Sequence, residues 1–188
     1  MITDPFSSLP SKARRTIRLE KEEVLFRQGD TTSGLYRVLT GRVTLLRTGA
    51  TGDTLTLHNA VAGGYFAEAS IFSKAYHCDA VCTETGSVVK IAKVDVLHMM
   101  QSNPDFSASF MKLLAGQVQH YRAHIEILAI ASAKERVLVA FQAGYFDTTV
   151  KELASRINLT HEACYRSFRA LCDDGRLTQT ARGTYVLS

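Results

Sequence analysis

The segment TTVKELASRINLTHEACYRSFRAL, from Thr148 to Leu171, has the pattern of two short helices joined by a tight turn. That pairing restricts the surrounding fold more than any other stretch of the chain. On the first helix Val150, Leu153, Ala154 and Ile157 recur at helical intervals and face inward, with Ala154 small enough to admit a close neighbour. Asn158 suits the turn because asparagine tolerates the left-handed backbone conformation that such a turn needs. Thr160 is placed as the N-cap of the second helix, its hydroxyl accepting from an N–H that the helix leaves unpaired. Along that helix Cys164, Phe168 and Leu171 form one stripe, while Glu162, Tyr165, Arg166 and Arg169 form another. One stripe packs and the other is free to touch a partner.

The chemistry of the free stripe suits double-stranded DNA. Arg166 can donate a bidentate pair to guanine O6 and N7, and Glu162 can accept from a cytosine amino group. His161 and Arg169 are placed to reach phosphates, so Thr160, His161, Glu162, Tyr165, Arg166 and Arg169 make up the candidate DNA-contacting set. An ordinary amphipathic hairpin with a solvated charged face would share the two-helix spacing. What separates the two readings is RLTQTARGTYVLS, which follows Asp173-Asp174-Gly175 and reads as two short strands around Arg182-Gly183. A helix-turn-helix with such a β-hairpin wing is far more specific than the helices alone.

A chain of 188 residues with 46% hydrophobic content fits one or two domains and can bury a core. Its net charge of +4 permits nucleic-acid binding without deciding it, because the basic residues are spread along the chain. No apolar run approaches the roughly 20 residues of a membrane span, and MITDPFSSLPSKARR lacks the apolar core of a signal peptide. A cytoplasmic protein with no membrane partner is expected. Cys78, Cys82, Cys164 and Cys172 are then reduced thiols rather than a disulfide framework, with Cys164 and Cys172 on the inward side of the second helix.

Upstream, residues from about Ile17 to Val94 alternate apolar strands with turn signals at Gly29-Asp30, Ser33-Gly34, Gly41 and Gly49 to Gly52. A second set, DAVCTETGSVVKI, closes the sheet with a turn expected near Gly86, giving a small antiparallel, jelly-roll-like β-roll. Beyond Lys93 the period becomes helical. After VDVLHMMQSN and Pro104 a long run begins in which Leu114, Val118, Tyr121, Ile125 and Leu128 step by 4, 3, 4 and 3 residues, the seam of a coiled coil. An ordinary helix packed on its own domain would also carry such residues, but a homodimer interface fits the spacing better. The helix passes through a short break at Ala131 to Ala133 into KERVLVAFQAG, a further helix ended by Gly144.

A β-roll, a long helix and a winged helix-turn-helix, in that order, resemble the CRP/FNR family of bacterial transcription regulators over nearly the whole chain. The residues that carry the resemblance are LFRQGDTTSGLYRVLTGRVTL with Gly29, Gly34 and Gly41, the segment YFAEASIFSKAYHCDA, and the Glu162-x-x-x-Arg166 spacing. It implies an α+β chain with a sensor roll at 1–103, a dimerisation helix at 104–130 and a winged helix-turn-helix at 131–188. It also implies that Glu162 and Arg166 read base edges of a palindromic half-site, and that activation would involve RNA polymerase. Tyr165 and Ser167 depart from the family's usual small and apolar residues, so the half-site is expected to differ.

The segment YFAEASIFSKAYHCDA looks like the family's effector loop, which places the effector pocket at Glu68, Ala69, Ser70, Cys78 and Asp79. In cyclic-nucleotide-binding members that loop holds a glutamate for the ribose hydroxyl and then Arg with Ser or Thr for the cyclic phosphate. Glu68 stands in the glutamate position, but Cys78 and Asp79 replace the phosphate-binding pair. An anion facing Asp79 without the arginine lacks donors and positive charge, and Lys74 is a weak substitute, so cyclic AMP is not the expected effector. With no cysteine before Cys78 there is no iron–sulfur motif. His77 and Cys78 are adjacent and both residue types ligate haem, which leaves a haem or thiol sensor as an alternative. Cys78, Ala80 and Cys82 could equally be alternate strand residues that pack on one face. A regulator whose roll takes no ligand also stays open.

No metal site is expected. His58, His98, His120 and His124 show no ligand spacing except the last pair, four residues apart without a third ligand nearby. A cupin-like enzyme would need clustered histidines and carboxylates, and the roll offers only His58 and His77, so catalysis is not expected.

Overall fold

The computed structural model describes residues 4–49, 52, 54–146 and 149–188. Ala50 and Thr51 of the turn expected at Gly49 to Gly52, and Thr148 at the start of the helical pair, lie outside them. By packing, the chain divides into two units, 1–115 and 116–188.

Unit 1 is an antiparallel roll built on two long strands. These are β3 (Gly34–Thr48) and β6 (Asp79–Ala92), paired along most of their length. Around them lie β1 (Arg14–Leu19) and β2 (Val24–Phe26) on β6, and β4 (Thr54–Val61) and β5 (Tyr65–Phe66) on β3. The strand order β1-β6-β3-β4 places the two long strands at the centre.

The glycines that looked like turns at positions 41 and 86 are not turns. Both lie inside long strands, where the β3/β6 register slips between Val38 and Val43 and Gly41 takes a φ of +77°. The backbones cross so closely that a Cβ on Gly86 would stand 2.1 Å from the Thr40 carbonyl oxygen and 2.8 Å from the Gly41 Cα. Glycine signals backbone freedom or close approach alike, and here the second applies: the strands bulge and bend instead of ending.

Two apolar clusters fill this unit. In one, Leu19, Phe26, Tyr36, Phe66, Tyr76, Ala80 and Cys82 close the interior of the roll. In the other, Phe6, Leu35, Ile71, Ile91 and Val96 meet Phe106, Phe110 and Leu113. Phe6 arrives on a short 3-10 turn, Pro5–Ser8, capped by Asp4, whose carboxylate also accepts from the Tyr65 hydroxyl and the Arg37 guanidinium. Nothing in the N-terminal sequence marks this anchor, because its partners are distant in sequence.

The helix α1 (Lys93–Ser102) stops before Asn103, and α2 (Pro104–Ala129) starts with Asn103 accepting from the Phe106 amide and proline in the first turn. Thus α2 is one continuous helix whose start belongs to the core of unit 1 and whose Ile127 belongs to the core of unit 2. Unit 2 continues with α3 (Ala133–Gln142), α4 (Val150–Arg156) and α5 (His161–Asp173), then the hairpin β7 (Leu177–Ala181) and β8 (Thr184–Leu187). Val137, Leu138, Leu153, Ile157, Phe168 and Leu171 form its core. The architecture is the α+β arrangement that the sequence predicts.

The crossing at Gly86 yields a direct test. Because the atoms opposing a new Cβ are backbone and cannot rotate away, Gly86→Ala should cost at least about 1–3 kcal/mol, the ordinary range for overpacking. The urea midpoint of the purified protein measures it, and Gly29→Ala, with φ +91° but nothing within 4 Å of the added carbon, separates backbone strain from crowding.

Candidate nucleic-acid interface and effector loop

Both helices of the predicted pair are capped as their sequence requires. The Thr149 hydroxyl accepts from the Glu152 amide at 3.2 Å, and the Thr160 hydroxyl from the Ala163 amide at 3.2 Å. Between them Asn158 has φ +52°, and the Leu159 amide donates back to the Ala154 carbonyl at 2.9 Å, closing the end of α4. The inward stripe is fully buried at Cys164, Phe168 and Leu171. Ser167 joins it, its hydroxyl donating to the Ala163 carbonyl at 2.8 Å, so the polar atom is satisfied inside the helix. Cys172, expected in the core, is only half-buried at its edge.

The opposite face of α5 is exposed at His161, Glu162, Tyr165, Arg166 and Arg169. The Glu162 carboxyl lies below its ordinary range, held first by its own backbone N–H at the start of the helix, then by the Thr160 hydroxyl, with His161 and Arg166 adding positive charge. The face therefore presents an ionised acceptor one turn from an arginine donor. Beside it the hairpin turns through Arg182 and Gly183, the latter at φ +76°, as its sequence predicts. A cleft of about 910 Å³ separates α5 from this wing, lined by Tyr165, Arg169, Gln179, Arg182 and Tyr185 among others. Gln179 and Arg182 are wing residues that the helical pattern could not single out.

Arg136 was not foreseen, and it fixes this arrangement. From α3 its guanidinium donates to the Ile130 carbonyl at 2.8 and 2.6 Å, to Ile157 at 3.2 Å and to Asn158 at 3.4 Å. It thereby joins the segment after α2 to the turn that precedes α5.

In unit 1 the predicted effector loop follows β5. Ala67 has φ +63°, and a 3-10 turn, Glu68–Phe72, places Glu68 and Ser70 inside and Ala69 at the surface. Cys78 is buried, and Asp79 accepts from the Gln28 amide at 2.7 Å, so its carboxylate holds a neighbouring turn. Cys78, immediately before β6, and Ala80 and Cys82 within it are all buried, as alternate residues of one face should be. Burial pushes the Cys78 thiol above its ordinary pKa, with Arg47 opposing and Asp79 reinforcing the shift, and burial also raises Cys82. Neither is an activated thiolate. The Arg47 guanidinium donates twice to the His77 carbonyl, at 3.2 and 3.0 Å, and the His77 ring pairs with the Ser73 hydroxyl at 2.8 Å.

Behind the loop the roll is filled by rings. Tyr76 stacks on Phe26 at 3.8 Å between centroids, and Tyr36 stacks on Phe66 at 5.1 Å. The Tyr76 hydroxyl accepts from the Ser33 and Gly34 amides, donates to the Gly34 carbonyl and meets the Tyr36 hydroxyl at 3.3 Å. Desolvation and this pairing push the Tyr36 phenol well above its ordinary range. Among the described residues no group of three or more His, Cys, Asp or Glu could hold a metal ion.

A roll joined through a long helix to a winged helix-turn-helix defines a two-unit regulator: one unit built like a ligand-binding module, the other like a DNA reader. The cyclic nucleotide-binding domain model matches residues 16–103, which is the roll. The chain is 26% identical over 159 residues to the cyclic AMP receptor protein of Thermus thermophilus, covering 80% of this chain and 74% of that one. It is 30% identical over 101 residues to an uncharacterized protein of Haemophilus influenzae, covering 53% and 78%. The FixK2 structure from Bradyrhizobium japonicum superposes with a TM-score of 0.71 at 18% identity, over 93% of this chain and 92% of that one, a likeness of fold. Residues 16–103 thus belong to the cyclic nucleotide-binding domain family, and the chain as a whole has the fold of CRP/FNR-type transcription regulators.

Replacing Arg136 with methionine keeps the stem and removes the donors. Leaving the part-buried Ile130 and Ile157 carbonyls without them should cost about 1–3 kcal/mol. Thermal unfolding should show the loss, and a stability equal to wild type would remove Arg136 from its structural role.

Proposed function

We propose that the chain is a homodimeric, sequence-specific regulator in which the exposed face of α5 reads a palindromic DNA site in the cytoplasm. The observation that carries this reading is the division of α5 into one face that is fully buried and another that offers Glu162, Tyr165, Arg166 and Arg169 to solvent. Arg166 is the reader of a guanine and Glu162 of a cytosine, whereas Arg169 and His161 hold phosphates.

The seam on α2 supports a second copy of this chain as its partner. Val118, Tyr121 and Ile125 are 47%, 45% and 64% exposed, while Leu114 and Leu128 at the intervening seam positions are half-buried. Such a stripe at heptad spacing on a single helix calls for an apolar cover. A dimer would present two reading helices to successive major grooves, about 34 Å apart.

Cyclic AMP does not suit the effector loop. Cys78 and Asp79 replace the phosphate donors, Asp79 is committed to Gln28, and the ring cluster of Phe26, Tyr36, Phe66 and Tyr76 occupies the interior. The same filling favours a second reading, a roll that folds and regulates without a small ligand. A haem site on His77 and Cys78 is less favoured, since the His77 ring is paired with Ser73 and Cys78 is buried.

Selection of bound sequences from a random DNA pool would supply the operator. On it, Arg166→Ala should lose about 1–3 kcal/mol and relax the preference at one base per half-site, while Arg169→Ala weakens all sequences alike. Equal loss at every base for Arg166→Ala would refute its role as reader. Ile125→Glu should convert the native mass to that of a monomer in sedimentation equilibrium; an unchanged dimer would move the interface elsewhere. Millimolar cyclic AMP should leave the melting temperature unaltered, and a rise would contradict the reading of the loop.

A further inference from the structure

Three rings in unit 2 are unused by the DNA-reading face. On α2, His120 and His124 both lie nearly parallel to the ring of Tyr145, with centroids 5.6 and 5.4 Å away and interplanar angles of 2° and 8°. Tyr145 stands just past α3 on the way to α4. Its amide donates to the Ala140 carbonyl at 2.9 Å, and its carbonyl accepts from Arg156 at 3.1 Å. It therefore links three helices: α2 through its ring, α3 and α4 through its backbone. The Nδ1 of His124 and the hydroxyl of Tyr145 are both buried with no hydrogen-bond partner.

We propose that His124 and Tyr145 form a proton-gated latch between the long helix and the helices of the reading unit, closed when His124 is neutral and opened by its protonation. Among the described residues, the groups whose charge acts on His124 are His120 from its own helix and Arg156 from α4. A proton added to His124 enters a half-buried site whose Nδ1 has no acceptor among the described residues and where His120 and Arg156 act against the charge. Burial first, and then His120 and Arg156, lower its pKa from the ordinary 6.5.

The sign follows from linkage. A depressed imidazole pKa means that the opened form takes up the proton more readily. The latch is at full strength above pH 6.5, weakens as the pH falls through that value, and reaches its lowest strength below the closed-state pKa of His124. The consequence for DNA reading rests on the function proposed above, but the latch is measurable without DNA, so the two can fail separately.

The experiment is a pH titration of the full-length protein that follows the histidine ring protons by NMR and the exchange protection of the Tyr145 and Phe146 amides, corrected for intrinsic rates. His124 should titrate below 6.5, and protection at Tyr145 should fall with it, about tenfold for each unit by which that pKa is lowered. His124→Phe keeps an aromatic ring and removes the proton, so protection should become independent of pH. The proposal is overturned if His124 titrates at or above 6.5. It is equally overturned if Tyr145 protection is constant through the His124 transition, or if the same pH dependence survives in His124→Phe. Should that variant fail to fold, the wild-type titration alone decides.

Discussion

The guanidinium of Arg136 is the interaction on which the reading unit most depends. Helix ends leave carbonyls without partners, and a tight helix pair crowds several such ends together. In this chain the carbonyls of Ile130, after α2, and of Ile157 and Asn158, after α4, all accept from one side chain on α3. A planar group with several fixed donors can do this where a lysine could not. Because α5 begins three residues after Asn158, the same contact sets where the exposed face of α5 starts. Burial of Cys164, Phe168 and Leu171 then fixes how that helix is rotated.

The roll depends on a different constraint. Its two long strands stay paired through a bend only because Gly41 and Gly86 leave room for backbones to approach within side-chain distance. The bend folds the sheet around an interior that Phe26, Tyr36, Phe66 and Tyr76 fill, with the Tyr76 hydroxyl satisfying the backbone at Ser33 and Gly34. The polar atoms of this cluster are spent on the fold itself.

Local signals were legible in the sequence and distant ones were not. Asn158 and Thr160 act on backbone within a few residues of themselves, so their roles follow from spacing and capping chemistry alone. The wing turn at Arg182-Gly183 and the buried alternation of Cys78, Ala80 and Cys82 were readable for the same reason. Gly86 was misjudged as a turn because glycine has one signature for two causes, and only the opposing strand distinguishes them. Phe6, Arg136 and Tyr145 were silent: each acts on residues brought near by the fold, and no periodicity marks them. The candidate DNA face was therefore read almost entirely from sequence, whereas the contacts that hold it in place were not.

That face also carries its own means of discrimination. In the reading proposed above, Arg169 and His161 are suited to almost any duplex, since every duplex is lined with phosphates. Glu162 is not. Its ionised form is favoured in the free protein by the start of α5 and the Thr160 hydroxyl, so bringing it into a groove bordered by phosphates sets like charges against each other. Only a base that offers a donor, as the cytosine amino group does, compensates for that repulsion. A penalty against wrong partners contributes to specificity as surely as a contact to the right one. In the same reading, the carboxylate at the head of the helix would restrain indiscriminate binding and add to the choice that the Arg166 guanidinium makes through its paired donors.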